Sequence, residues 1–127
     1  MDPLSARSFP LWFGVLAPPL AWGAHLLLGD LIFELGCAPG VRGHTLAGLS
    51  LETWALIQTL VAGVIIAAAG LLAAAAWRRI HTISNGTAWN RAHALALAGM
   101  ASGAIYLVLI AYGLLAPLFL NGCTTSP

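Results

Sequence analysis

The sequence has 127 residues, of which 60% are hydrophobic and only 7% are charged, and its formal net charge is +1. About a quarter of the residues of a typical soluble domain are charged, so a soluble fold of this composition would expose a large apolar surface and aggregate. A lipid bilayer accepts such a surface. The chain has no basic run, so we expect no binding to nucleic acid. The composition therefore predicts an integral membrane protein surrounded by lipid.

Three apolar segments predict three transmembrane helices, over residues 11–36, 51–77 and 92–120. Each exceeds the roughly 20 residues that cross a ~30 Å hydrocarbon core as a helix, and none alternates like a membrane strand. The first segment is longer than the apolar region of a signal peptide. Since backbone polar groups in lipid must bond to one another, we predict an all-α, three-transmembrane-helix bundle forming one domain over residues 1–127.

The arginines predict the orientation of the bundle. Arg7 precedes the first helix, Arg42 lies in the first loop, and Arg78, Arg79 and Arg91 flank the second loop. Positive residues in short loops favour the cytoplasm. Placing the N-terminus and the second loop inside puts four arginines in the cytoplasm and one outside. We therefore expect the N-terminus inside and the C-terminus outside.

This orientation places both cysteines of the chain, Cys37 and Cys123, on the outer face. In a bacterium that side is oxidising, and disulfides persist there. We predict a Cys37–Cys123 disulfide, which a chain-entropy treatment values at ~4–5 kcal/mol as an upper figure. Two unpaired thiols and a copper site are the alternatives.

Small residues recur at three- and four-residue spacing along the second and third helices. Gly63 and Gly70 lie on the second helix, and Gly99 and Gly103 form a GxxxG on the third. Such spacing lets helix backbones approach closely in membranes. We expect these glycines to lie where the helices pack, although a chain rich in alanine and glycine also produces such pairs by chance.

The first helix is unusual because it contains adjacent prolines and ionisable residues. Pro18 and Pro19 remove two backbone donors, so we expect a kink or a division there. Trp22, His25, Asp30 and Glu34 follow within the same apolar segment. Ionisable groups inside a membrane cost several kcal/mol unless they are paired or hydrated, so they are functional candidates by default.

His25 has three interpretations: a haem ligand, a quinone contact, or a neutral imidazole bonded to a neighbouring helix. No second histidine lies at a matching depth, so we expect no cofactor and no metal. At 100° per residue His25 also points away from Asp30 and Glu34. These two carboxylates, with Glu52 at the start of the second helix, line a polar rim or begin a proton or cation path. Polar residues do not continue to the cytoplasmic side, which gives a channel little support.

The sequence contains no catalytic constellation and no phosphate-binding loop, so we expect that the chain is not an enzyme.

Residues 18–26, PPLAWGAHL, resemble a group of small bacterial membrane proteins encoded beside haem-copper terminal oxidase (cytochrome c oxidase) subunits. The first helix of that group carries P-x-A-W-x-x-H-L, then a Glu and a Cys at its outer end, and the last helix leads into a Cys near the C-terminus. The corresponding residues here are Pro19, Ala21, Trp22, His25, Leu26, Glu34, Cys37 and Cys123. Asp30 departs from the pattern.

The resemblance implies an accessory, non-catalytic subunit or assembly partner of a respiratory electron-transfer complex in the bacterial inner membrane, with other membrane subunits as partners. Two further functions stay open. One is a small oligomeric channel or transporter that uses the outer carboxylates. The other is a membrane haem- or quinone-binding protein centred on His25.

Overall fold

The protein is described by a computed structural model that covers residues 3–40, 45–83, 91–115 and 123, with side chains from residue 8 onward. It contains the helices α1 (Pro3–Gly36), α2 (Leu51–Ile83) and α3 (Arg91–Gly113) and the short strands β1 (Thr45–Leu46) and β2 (Leu49–Ser50). Each helix packs against the other two. All three are long and apolar enough to cross a membrane. The predicted all-α, three-helix bundle is confirmed, and its three candidate spans suggest a multi-pass membrane protein.

The helix ends differ from those expected from the apolar segments. α1 begins before residue 11 and α2 continues past residue 77, because helical hydrogen bonding extends into polar residues that lie beyond the apolar stretch. α3 instead ends at Gly113, well before residue 120. The Leu115 amide donates to the Tyr112 carbonyl at 3.0 Å, which is the tighter bonding common at helix ends. Residues 116–120 lie outside the described part of the chain.

Of the kink or division expected at the adjacent prolines, the division is wrong, because α1 continues through Pro18 and Pro19 as one helix. The Pro18 side chain is fully buried in the bundle. Membrane helices tolerate proline where neighbouring helices pack around the freed backbone groups. The proline pair therefore lies within a helix that its neighbours support on the packed side.

One stripe of each helix faces the bundle axis, and most neighbouring residues of a stripe are three or four positions apart, the spacing at which residues share one helix face. The buried residues of these stripes are Leu11, Gly14, Pro18 and Gly36 on α1; Leu51, Ala55, Thr59, Ala62, Ile66, Ala69 and Ala73 on α2; and His93, Ala96, Gly99, Gly103 and Ile110 on α3. Most are small, so the helix backbones lie close together.

The closest approach of the three helices involves Gly14, Ala73 and Gly99. A Cβ added to Gly99 would lie 2.9 Å from the Ala73 Cβ and 3.2 Å from the Gly14 carbonyl carbon. One turn along α3, a Cβ on Gly103 would lie 3.1 Å from the Gly70 Cα. All three helices therefore meet almost backbone to backbone here.

Gly63 and Gly70 have more room for an added Cβ than Gly99 and Gly103. A Cβ on Gly63 would lie 3.8 Å from the Ile110 Cγ2, and one on Gly70 would lie 3.8 Å from the Gly103 Cα, both ordinary van der Waals contacts.

Gly14, which was not predicted as a packing residue, lies where the three helices approach at Ala73 and Gly99. Gly14 is three residues after Leu11 and four before Pro18, so the three residues share one face of α1. This spacing is the sequence signal that could have identified Gly14 as a packing residue.

A small hairpin connects α1 to α2. Ala47 and Gly48 both have positive φ, at 50° and 81°, which is the requirement of a two-residue type I′ turn. The indole Nε1 of Trp54 donates to the Leu46 carbonyl at 2.8 Å, and this bond fixes the hairpin to α2. Ser50 precedes α2 as its N-cap, since its Oγ accepts from the Thr53 amide at 3.2 Å.

The predicted disulfide between Cys37 and Cys123 is confirmed. The two Cα atoms are 5.5 Å apart, within the usual range for a disulfide. The bridge joins the residue after α1 to a residue beyond α3, 86 positions later. We call the end of the bundle that carries this bridge and the hairpin the disulfide end. The opposite end, with Arg78, Arg79 and Arg91, is the arginine end.

Gly103→Ala tests the backbone contact. The added Cβ meets the Gly70 Cα at 3.1 Å, and backbone cannot move aside as a flexible side chain can, so we expect a loss of about 1–3 kcal/mol of unfolding free energy. Denaturant unfolding in detergent micelles, followed by circular dichroism, measures it. Gly23→Ala is the matched control, because nothing lies within 4 Å of its Cβ position. Equal stability of both variants would contradict the assigned contact.

Candidate functional site

The depth of each residue in the bilayer can be counted along its helix from the arginines at the arginine end. Twenty helical residues at 1.5 Å each span about 30 Å, the thickness of the hydrocarbon core. Counted from Arg78 along α2, that length ends at Gln58. Counted from Arg91 along α3, it ends at Ala111, one half-turn before Gly113. Residues near Gln58 and Gly113 thus lie close to the hydrocarbon boundary at the disulfide end.

His25 lies on the packed side of α1, seven residues after Pro18. Its ring is half-buried, and its Nε2 is 3.6 Å from the position that a Cβ on Gly113 would occupy. The imidazole therefore lies against the backbone of α3. Its other nitrogen, Nδ1, is buried and has no hydrogen-bond partner among the described residues. His25 is thus a polar group inside the bundle with one unmet hydrogen bond.

Gln58 presents a second unmet hydrogen bond nearby. Its Nε2 lies 3.2 Å from the Cβ position of Gly29, which is one helical turn from His25 on α1. Its Oε1 is buried and has no partner in the described part of the chain. Leaving a buried polar group unsatisfied costs about 1–3 kcal/mol, so two at one level of a bundle require an explanation. Gln58 was not predicted as a site residue, although an amide inside an apolar segment is a signal that the sequence shows.

An aromatic pair lies next to His25 on the side toward the middle of the bundle. The rings of Trp22 and Tyr106 are 5.7 Å apart between centroids, with an interplanar angle of 52°. Both pack against a buried cluster of Ala62, Ile66 and Ile110. Trp22 is three residues before His25, so the two side chains lie on the same side of α1. The polar atoms of His25 and Gln58 thus have an apolar, aromatic layer on their inner side.

The three carboxylates named from the sequence are outside this site. Asp30 and Glu34 are exposed on α1, and Glu52 is exposed in the first turn of α2. None forms an ion pair with a described residue. Glu52 is favourably placed near the positive end of the α2 dipole. The structure therefore separates the named residues into an inner group, Trp22 and His25, and an outer group of carboxylates.

Thr59, beside Gln58, is buried but satisfied. Its Oγ1 donates to the Ala55 carbonyl of its own helix at 2.6 Å. This hydroxyl is therefore not part of the unmet pair. Within residues 3–40, 45–83, 91–115 and 123, no group of three or more histidine, cysteine or acidic side chains could hold a metal ion.

The arginine end has an aromatic group of its own. The Trp77 ring stacks on His81 at 6.3 Å between centroids and contacts His93 edge-on at 5.3 Å. His93 is buried at the start of α3. Tryptophan is enriched at the membrane interface, so this group suits the level next to Arg78. It joins α2 to α3 at the opposite end from His25.

A double-mutant cycle on Trp22→Leu and Tyr106→Leu tests the aromatic layer. Tilted aromatic pairs contribute about 0.5–1.5 kcal/mol beyond their buried area, so we expect a coupling energy of that size. Denaturant unfolding in detergent measures each corner of the cycle. Trp12→Leu with Tyr106→Leu is the control, since Trp12 is 51% exposed and belongs to a different level of α1. Zero coupling between Trp22 and Tyr106 would refute the assigned contact.

The chain was also compared with known proteins. No family model, no curated protein sequence and no solved structure matches it.

Proposed function

We propose that the chain is an accessory, non-catalytic subunit or assembly partner of a respiratory electron-transfer complex, of the haem-copper oxidase type that the P-x-A-W-x-x-H-L resemblance implies. The observation that supports this most is the outward face of α1. Asp30 and Glu34 lie one turn apart there, exposed and without an ion pair among the described residues. A helix that faced only lipid would gain nothing from a carboxylate pair.

The same face of α1 continues as an apolar stripe toward the arginine end. Its leucines include Leu20, 69% exposed, and Leu27, 74% exposed. Leu27 and Leu31 flank Asp30, so apolar and acidic groups occupy one side of the helix. A partner with a transmembrane helix and basic side chains near the membrane surface would match both. The leucines would pack along that helix, and the carboxylates would pair with its cations.

The depth of the carboxylates fits such pairing better than burial in lipid. Asp30 follows Gly29, which contacts Gln58 near the hydrocarbon boundary. A charge at the bilayer centre costs about 2.5–3.5 kcal/mol on insertion scales, and the cost falls toward the interface. Asp30 and Glu34 are therefore tolerable at this level when alone and favourable when a cation approaches.

An oligomeric channel is the second candidate, because the face that would receive a partner could receive copies of this chain instead. In that arrangement Asp30 and Glu34 would line the space between the copies. Repulsion between like carboxylates opposes this packing, whereas a basic partner relieves it. The observation on α1 thus favours a different chain as the neighbour.

Purification from native membranes in mild detergent tests the proposal. We expect the wild-type chain to bring haem-containing oxidase subunits, identified by a visible spectrum and by mass spectrometry. Asp30→Asn with Glu34→Gln should lower their recovery about tenfold, corresponding to a loss of roughly 1.4 kcal/mol. Glu52→Gln is the matched control, since it removes an exposed carboxylate of the same end from α2, and it should keep the partners.

Two results would contradict the proposal. One is a colourless protein that purifies alone as a monomer or as a homo-oligomer. The other is equal recovery of oxidase subunits with the Asp30/Glu34 variant and with the Glu52 control, which would move the docking surface away from this face of α1.

We also propose the orientation that the arginines favour, in a bacterial inner membrane with the disulfide end outside. Thr87→Cys places a thiol in the sequence between α2 and α3, and Thr45→Cys places one in the exposed hairpin. In intact cells a membrane-impermeant maleimide should label the Thr45 variant at once and the Thr87 variant only after permeabilisation. The native cysteines are bridged and stay unlabelled. Labelling in the reverse order would overturn the orientation.

A further inference from the structure

We propose that the junction of the three helices at the disulfide end binds a hydroxyl group, which bridges the Nδ1 of His25 and the Oε1 of Gln58. The hydroxyl belongs either to a water molecule or to a membrane-soluble phenol such as a hydroquinone. This site is on the packed side of α1 and is independent of the partner face that carries Asp30 and Glu34.

The two unmet atoms define the chemistry of the ligand. The Oε1 of Gln58 can only accept a hydrogen bond, while the Nδ1 of His25 accepts or donates according to its tautomer. The bridging group must therefore donate to Gln58 and also bond to His25. A hydroxyl does both. A carbonyl or a carboxylate has no proton to donate, so the oxidised quinone would leave Gln58 unsatisfied where the hydroquinone would not.

The remaining contacts determine which atoms are available to the ligand. The Nε2 of His25 faces the backbone of Gly113, and the Nε2 of Gln58 faces Gly29. The opposite atom of each side chain, Nδ1 or Oε1, is the one without a partner. His25 and Gly29 are one turn apart, so both side chains belong to the same level of the bundle. In the proposed arrangement a single small group lies between them and bonds to both atoms.

The surroundings of the pair suit a hydroxyl ligand. Trp22 and Tyr106 close the inner side with aromatic rings. The hydrocarbon boundary is close on the other side, so water reaches this level far more readily than the bundle centre. A buried water in proteins typically bonds to polar groups that are otherwise unsatisfied, which is the situation of Nδ1 and Oε1. The rings of Trp22 and Tyr106 could also pack against the ring of a phenol.

Nitrogen-15 NMR of the full chain in phosphatidylcholine nanodiscs tests the proposal. With ¹⁵N-histidine labelling only four residues report, and the loss of one signal in His25→Phe assigns His25. We expect a cross-peak between the His25 ring nitrogen and an exchangeable hydroxyl proton. Gln58→Met keeps the side-chain length but removes both polar atoms, and it should abolish the cross-peak.

Thr59→Val is the matched control. It removes a buried hydroxyl one residue away that is already bonded to the Ala55 carbonyl, so the cross-peak should persist. Formation of the Cys37–Cys123 bond, read on a non-reducing gel, verifies that each variant has folded. A short-chain alkyl hydroquinone added to the nanodiscs distinguishes the sources. Replacement of the water-frequency cross-peak by a phenolic one identifies a lipid-soluble ligand, and an unchanged cross-peak identifies water.

Two results would overturn the proposal. The first is a direct through-hydrogen-bond coupling from the His25 Nδ1 to the Gln58 side-chain carbonyl, which leaves no room for a third group. The second is the absence of any exchangeable proton near His25, with identical ring signals in the wild type and in folded Gln58→Met.

Discussion

The near contact of three helix backbones at Gly14, Ala73 and Gly99 is the constraint on which the other features of the bundle depend. At this level a single added methyl group would overlap atoms of a neighbouring helix. Lipid chains are as apolar as the helices, so burial of apolar area gives membrane helices little reason to associate. Close contact, with its dispersion and Cα–H···O interactions, supplies that reason. The helices are thus held tightly toward the arginine end.

The packing changes toward the disulfide end of the bundle. There the larger side chains of Trp22 and Tyr106 fill the space between α1 and α3. Beyond them the small residues Gly29 and Gly113 return, and polar side chains lie against them. The bundle therefore changes from backbone contact, through an aromatic layer, to a polar junction around His25 and Gln58. Each layer is set by the size and polarity of the side chains that face one another at that level.

Hydropathy could identify the number of helices, because the length of an apolar segment is compared directly with the bilayer. It could not give the ends, since hydrogen bonding in α1 and α2 continues past the apolar residues. The disulfide could be predicted because the first and third of three membrane helices run in the same direction, which brings the two cysteines of the chain to the same face. Gln58 was missed for a different reason. Its importance depends on the unmet Oε1 and on contact with Gly29 of another helix, and neither is visible along one segment.

The bridge between Cys37 and Cys123 also depends on whether all three helices have inserted into the bilayer. It joins the end of the first helix to a residue beyond the third, so it can close only when both lie on the same side of the membrane. A chain whose third helix has stalled or inserted in reverse keeps two thiols. The oxidised form is thus a chemical mark of completed insertion, available to any quality-control system that distinguishes thiols from disulfides.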